Sequence, residues 1–449
     1  MPLKRLIYFL ILLFLFLLPW QARVVYAPAF LGGQFWEYGS GSWYATEVLL
    51  WAIIIFSAFD RFRRRSFWVL SARREHFQEH WPRLFFGIVI LIYALGQMVW
   101  SVSPAISYQW LFHLLEGLCL LVIIAERAGE GRALKIAFWA GGVGQGILAV
   151  GQFFSQTVTH IPGFGMAPQT AARLGSFVIE TGTERWLRAY GAFGSPNILG
   201  GYLALVFVIG LLLYLKSSPP QKIFFTVGQM VVVAGLVLSF SRGAWAAVGA
   251  GAIATVILTP PLRGKNLCPN HQEDRDPSVV SLSQDDSEPR NDILKQLVFC
   301  FLVVAVLFFI FRPLFTTRFT PSVRLESRSL AERAGQYRDA LSILKEHWLT
   351  GVGPGAYTAA LVGKHPERPV WNLQPAHNIY LLLFVELGAV GFVLFFWWCF
   401  FIARRILERE RRWFPVLLTL LVLGLFDHWL ASLYIGQIAW WVIFGLGLL

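Results

Sequence analysis

Residues 195–215 read SPNILGGYLALVFVIGLLLYL, and this run decides the fold class. From Ile198 to Leu215 no side chain is charged. An apolar stretch of about 20 residues in helical form crosses the roughly 30 Å hydrocarbon core of a bilayer. Only helices or closed barrels satisfy their backbone there. The run is continuous, not alternating, so it favours a helix over a barrel strand.

The rest of the chain repeats this pattern. It has 449 residues, 56% of them hydrophobic and only 14% charged, with a mean hydropathy of +0.57. No soluble globular domain needs that much apolar surface. About twelve spans are expected, near 6–20, 43–59, 84–101, 106–125, 136–156, 195–215, 223–240, 243–259, 294–311, 377–402, 414–430 and 434–449. The expectation is an all-α polytopic membrane protein, residues 1–449 forming one membrane domain. Many of the 19 Trp sit near predicted helix ends, as interface anchors do. The net charge of +12 lies mostly beside the spans, where anionic lipid head groups accept it, and does not point to nucleic acid. Cys119, Cys300 and Cys399 lie in apolar runs and Cys268 in a polar loop. Their spacing gives neither a metal site nor a disulfide framework.

Charge sets the orientation. With the N-terminus cytoplasmic, the inner loops collect Lys4, Arg5, the block Arg61 to Arg83, Arg127, Arg132, Lys135, Lys216, Lys222, Arg263, Lys265, Arg275, Arg290, Lys295 and the Arg404–Arg412 cluster. That obeys the positive-inside rule and implies an even span count with both termini cytoplasmic. Lys4-Arg5 and Val25-Tyr-Ala27 could frame a signal peptide, but Pro28 would follow the cut, so an uncleaved first span is expected.

Three polar segments stand apart. Residues 157–194 read as a smaller extracytoplasmic loop, ordered but irregular. Residues 260–292, rich in Asp, Glu, Ser, Pro and Asn, read as a disordered cytoplasmic connector. Residues 312–376 form a large extracytoplasmic loop crowded with arginine, and the orientation rule weakens for loops of about 60 residues. Within it 327–348 has a helical pattern. Leu330, Ala334, Tyr337, Leu341 and Leu344 share one face, which Arg333 and Arg338 border. Such a basic amphipathic helix can also simply lie on the lipid surface. No internal repeat or pair of broken helices is visible.

The candidate chemistry gathers at this end. Gly351-Val-Gly-Pro-Gly355 lacks the flanking features of a nucleotide loop, and reads as a tight turn for close backbone approach, with Gly353 facing helices or ligand. His377 sits where the loop enters the membrane, followed by Asn378. A neutral imidazole there can take a proton from a hydroxyl nucleophile. Arg242 lies between two spans that leave almost no loop, a costly place unless it faces a polar cavity or an anion. Guanidinium forks suit phosphate oxygens, so Arg242 and Arg333 could hold a diphosphate. The plainer alternative is an Arg242–Asp427 salt bridge. His113 and Glu116, three apart on one helix, are spaced to pair with each other, and Glu386 and His428 are further polar groups in or near the spans.

Three segments carry a family resemblance: Arg188 to Leu203, Ser241-Arg-Gly-Ala-Trp245, and Arg333 through Gly351-Val-Gly-Pro-Gly to His377-Asn-Ile-Tyr380. In that order and placement they resemble the O-antigen ligase and polymerase family of bacterial membrane glycosyltransferases. The resemblance implies transfer of a glycan from undecaprenyl diphosphate to an acceptor hydroxyl, with no nucleotide sugar, cofactor or metal. It implies His377, Arg242 and Arg333 as catalytic residues and Asp427 as a late acidic residue near the site. Arg188, Asn197, Arg338, Gly353 and Asn378 complete the candidate binding set. The acceptor could be a glycolipid (ligase), another repeat unit (polymerase) or a protein hydroxyl. A transporter or flippase for a lipid-linked glycan would instead string charges through the mid-membrane. A non-catalytic scaffold leaves Arg242, Arg333 and His377 ungrouped.

Overall fold

A computed structural model describes residues 3–63, 87–182, 184–259 and 289–449. The helices are α1 (Leu3–Leu17), α2 (Ala45–Arg63), α3 (Gly87–Gln97), α4 (Pro104–Ala125), α5 (Gly131–Ser155), α6 (Pro196–Leu215), α7 (Pro219–Leu238) and α8 (Arg242–Leu258). They continue with α9 (Pro289–Ile310), α10 (Arg312–Arg318), α11 (Arg324–His347), α12 (Tyr357–Lys364), α13 (Ile379–Arg409), α14 (Phe414–Phe426), α15 (Trp429–Ser432) and α16 (Tyr434–Leu448). A helix lies at each of the twelve expected runs. Six of them (α4, α5, α6, α7, α9 and α13) are long and apolar enough to cross a membrane by length and composition. The connector expected at 260–292 lies outside the described residues as far as 288, as do Arg64 to Arg83, Arg263, Lys265, Cys268 and Arg275; its last residues open α9.

The run that opened the reading forms the centre. α6 buries nearly every side chain from Ile198 to Tyr214 and packs on α5, α7, α8 and α14. A helix apolar all round needs an apolar environment all round. At the periphery α9 turns Phe301 and Phe309 outward, at 67% and 77% exposure, a surface that suits lipid and not water.

The loops hold more than helices. Two antiparallel pairs lie before α2: β1 (Arg23–Ala27) with β4 (Gly41–Tyr44), and β2 (Phe30–Leu31) with β3 (Gln34–Phe35). Segment 157–194, read as irregular, contains two more: β5 (Thr157–Val158) with β6 (Gln169–Thr170), and β7 (Val178–Thr181) with β8 (Glu184–Leu187). Strands this short give too few alternating residues to register in a hydropathy reading.

One broken helix is present, although none was apparent in the sequence. Within α13, Gly388 adopts φ 66° and ψ 178°, a region essentially reserved for glycine. The break frees backbone groups that must be paired at this depth. The glycine-rich turn supplies the partners. Val352 N–H donates to Val385 O at 3.0 Å, Gly353 N–H to Glu386 O at 3.0 Å, and Ala389 N–H to Trp348 O at 2.8 Å. From α3, Tyr93 Oη and Gln97 Nε2 donate to Leu387 O at 2.8 and 3.2 Å. A Cβ on Gly388 would lie 2.4 Å from Leu349 O. Gly388→Ala is therefore expected to lower unfolding stability in detergent by about 2 kcal/mol or more; a wild-type melting curve would refute this account of the break.

Candidate active site

The site is built on α11, and not by its apolar stripe. Leu330, Tyr337 and Leu341 point away from the protein, at 47%, 37% and 51% exposure. The face turned inward carries Glu326, Arg333, Gln336, Ala340 and Ile343, spaced for one side of a helix. The expected helix is thus present, and the face it turns to the bundle carries Glu326, Arg333 and Gln336 with Ala340 and Ile343, while Leu330, Tyr337 and Leu341 are left outside.

Glu326, only 4% exposed, receives two arginines. Arg318 on α10 pairs with its Oε1. Arg242 Nη2 lies 3.0 Å from its Oε2, close as an ion pair but off the line of a good hydrogen bond. The three-residue turn between α7 and α8 is read by the same group. Its carbonyls are exposed at a helix C-terminus and need donors. Arg188 Nε donates to Ser239 O at 2.8 Å, Arg318 Nε to Phe240 O at 3.0 Å, and Arg242 Nη1 to Arg318 O at 3.2 Å. Arg242 thus pairs with Glu326, not with Asp427.

Further along the same face, Gln336 Oε1 lies 2.7 Å from His377 Nδ1. With the amide oxygen accepting, Nδ1 carries the proton and Nε2 keeps its lone pair. The His377 ring meets His428 edge to face, centroids 4.9 Å apart. His428 Nδ1 is 2.6 Å from Ser432 Oγ, and Asp427 Oδ1 accepts from the His428 backbone N–H at 2.7 Å. Burial lowers the His377 pKa from its ordinary 6.5; Asp427 opposes this and Arg333 adds to it. Burial pushes His428 down to about 3, with His377 contributing. Both shifts favour the neutral imidazole.

Arg333 lies between these two groups, near enough to act on Arg318, His377 and His428. Other cations of the loop are paired: Arg324 with Glu180, Arg328 with Glu332, Lys364 with Glu346 and Arg368 with Asp339. Among the described residues, Arg333 alone of the loop's lysines and arginines is half-buried without an ion pair or side-chain hydrogen bond, whereas Arg312, Arg338 and Lys345 are exposed. A guanidinium held from water without a counter-charge is costly, and a bound anion offsets that cost.

The remaining expected residues fall elsewhere. Arg188 Nη2 donates to Asn197 Oδ1 at 2.7 Å, so those two are used on each other. Asn378 caps α13, its Oδ1 accepting from Tyr380 and Leu381 N–H. Gly353 is buried with its N–H given to Glu386 O, and a Cβ there would lie 2.2 Å from Ser101 Oγ. Arg338 sits on the exposed side of α11. Glu326, Arg318 and Gln336 were not anticipated, although Glu326 and Gln336 stand seven before and three after Arg333, the spacing of one helix face.

Metal-type donors also gather. His377, Asp427 and His428 bring ligand atoms within 4.8 Å of one another, and Glu47, His113 and Glu116 do the same deeper in the bundle. His113 faces Glu47 and Gln437 in addition to its expected neighbour Glu116. Beside His428 opens a polar cavity, lined by Tyr38, Trp110, Thr358, Glu386 and Ser432 among others.

Residues 224–396 match the family model described as O-antigen ligase. Over that segment the chain is similar to the O-antigen ligase family. No curated protein matches it significantly. The matched segment holds Arg242, Arg318, Glu326, Arg333, Gln336 and His377, while Asp427, His428 and the β1–β4 segment come from outside it. Within this segment Glu326 fixes where Arg242 and Arg318 stand. Glu326→Gln removes the carboxylate from two arginines and is expected to cost about 3 kcal/mol of stability. Thermal unfolding of purified protein checks this, and unchanged stability refutes the clamp.

Proposed function

We propose that the chain transfers a glycan from undecaprenyl diphosphate to an acceptor hydroxyl at the outer face of the cytoplasmic membrane. The observation that carries this reading is Arg333, half-buried, without a carboxylate, and between an arginine cluster and a neutral histidine. Guanidinium groups outnumber carboxylates here, with Arg188, Arg242, Arg318 and Arg333 against Glu326, which suits a dianionic diphosphate. The family brings a lipid-linked glycan donor and a membrane-borne reaction.

In this mechanism Arg333 binds the diphosphate, and Arg242, 30% exposed, adds the N–H groups it does not use internally. His377 Nε2 takes the proton of the acceptor hydroxyl as its oxygen attacks the anomeric carbon. The bond from that carbon to the diphosphate oxygen breaks on the opposite side, and its electron pair stays on the leaving phosphate. The arginines stabilise that charge as it develops. One displacement inverts the configuration. Gln336 holds the His377 tautomer, and Asp427 favours the imidazolium that forms. No metal is assigned a step, and both termini are placed in the cytoplasm by the charge pattern of the inner loops.

His377→Ala is expected to lower the transfer rate about 100-fold or more in reconstituted vesicles. A His377→Ala protein that transfers glycan at the wild-type rate refutes the assignment. The wild-type rate should fall with pH along a limb below 6.5, since protonation disables the base. Removing the neighbouring cation makes protonation easier, so Arg333→Gln should move that limb upward as well as slow the reaction; an unmoved or lowered limb contradicts the placement. Dialysis against a chelator should leave the rate unchanged, and loss restored by a divalent cation would assign His377, Asp427 and His428 to a metal instead.

A further inference from the structure

The polar cavity beside His428 has no part in the mechanism above. Four residues on its wall carry buried polar atoms that have no hydrogen-bond partner. They are Trp110 Nε1 from α4, Thr358 Oγ1 from α12, Glu386 Oε2 from α13 and Tyr434 Oη from α16. Their residues are 7%, 2%, 3% and 3% exposed. One such atom is unremarkable; four from four helices, around one space, ask for an occupant with its own donors and acceptors. The cavity's one lysine or arginine, Arg23, is paired with Glu37 at 2.9 Å, so the lining offers no unpaired guanidinium or ammonium to a phosphate. The rings of Tyr38, Tyr44 and Trp110 add apolar faces. Few convergent polar groups among aromatic walls is the make-up of a small-molecule site. Here the unpartnered groups comprise a donor, two hydroxyls and a carboxyl, which together suit a neutral polyol. Ser432, also on the wall, bonds His428, whose ring packs on His377.

We propose that this cavity is a sugar subsite, holding one neutral pyranose unit beside His377, with Trp110, Thr358 and Glu386 as its recognition groups. The assignment rests on the transfer reading only for which substrate brings the sugar. A pyranose next to the diphosphate of the donor and one at the end of the acceptor have the same chemistry. The segment β1–β4, which supplies Arg23, Glu37, Tyr38 and Tyr44 and lies outside the ligase match, would then help set sugar specificity.

The test uses purified full-length protein in detergent and a panel of methyl pyranosides of gluco, galacto, manno and rhamno configuration. Saturation-transfer NMR is expected to show binding of at least one. Thr358→Val and Glu386→Gln should each weaken it about fivefold, the worth of a single hydrogen bond. Without sugar Thr358→Val should melt no lower than wild type, because the hydroxyl it removes has no hydrogen-bond partner. Lower melting with sugar binding intact would mean that the atoms serve an internal water network and would overturn the proposal, as would binding of no pyranoside. In the transfer assay with the cell's own lipid-linked glycan, a raised KM of Thr358→Val for the donor alone assigns the sugar to the donor. A raised KM for the acceptor alone assigns it to the acceptor, and unchanged values for both overturn the subsite. A wild-type protein that binds pyranoside but transfers nothing refutes the transfer reading while leaving the subsite in place.

Discussion

A carboxylate between two arginines organises the charged end of this protein. Glu326 joins α11 to Arg318 on α10 and to Arg242 at the start of α8. Without it, Arg242 and Arg318, 76 residues apart in the chain, would present repelling guanidinium groups to each other. With it, α11 is fixed in rotation about its axis. That rotation puts Arg333 inward and lets Gln336 reach His377. The catalytic reading therefore depends on an ion pair that takes no part in the chemistry.

The same constraint explains what α11 does with its apolar stripe. A free amphipathic helix would turn Leu330, Tyr337 and Leu341 toward the protein. Here the buried pairings of Glu326 and Gln336 win, because leaving a buried carboxylate unpaired costs more than exposing three partly covered apolar side chains. An exposed apolar stripe of this kind suits a lipid surface, where apolar side chains are no liability.

Much of the fold was legible because hydropathy is a local property. Each apolar run became a helix, and Arg242, placed where two runs meet, was marked by its cost alone. Pairwise partners were not legible. Nothing local says that Glu326 lies under Arg242, or that Asn197 takes an arginine and not a ligand. The inward face of α11 was not legible for that reason: a helical wheel weighs side chains by polarity and cannot see the partner that satisfies one of them. Short strands such as β7 and β8 escaped because four residues hold too little pattern. The break in α13 had one visible sign, a glycine two residues after Glu386 within an apolar run, but glycines are common in membrane helices.

The pairing between the glycine-rich turn and that break bears on how motion is distributed. Glycines usually mark the backbone that opens first and trades its amide protons with water soonest. Here the amides of Gly351, Val352 and Gly353 are buried and bonded to His347, Val385 and Glu386 carbonyls. Those of Val352 and Gly353 exchange only when α13 itself opens, so the most flexible-looking stretch of the loop shares the opening free energy of the helix it is joined to.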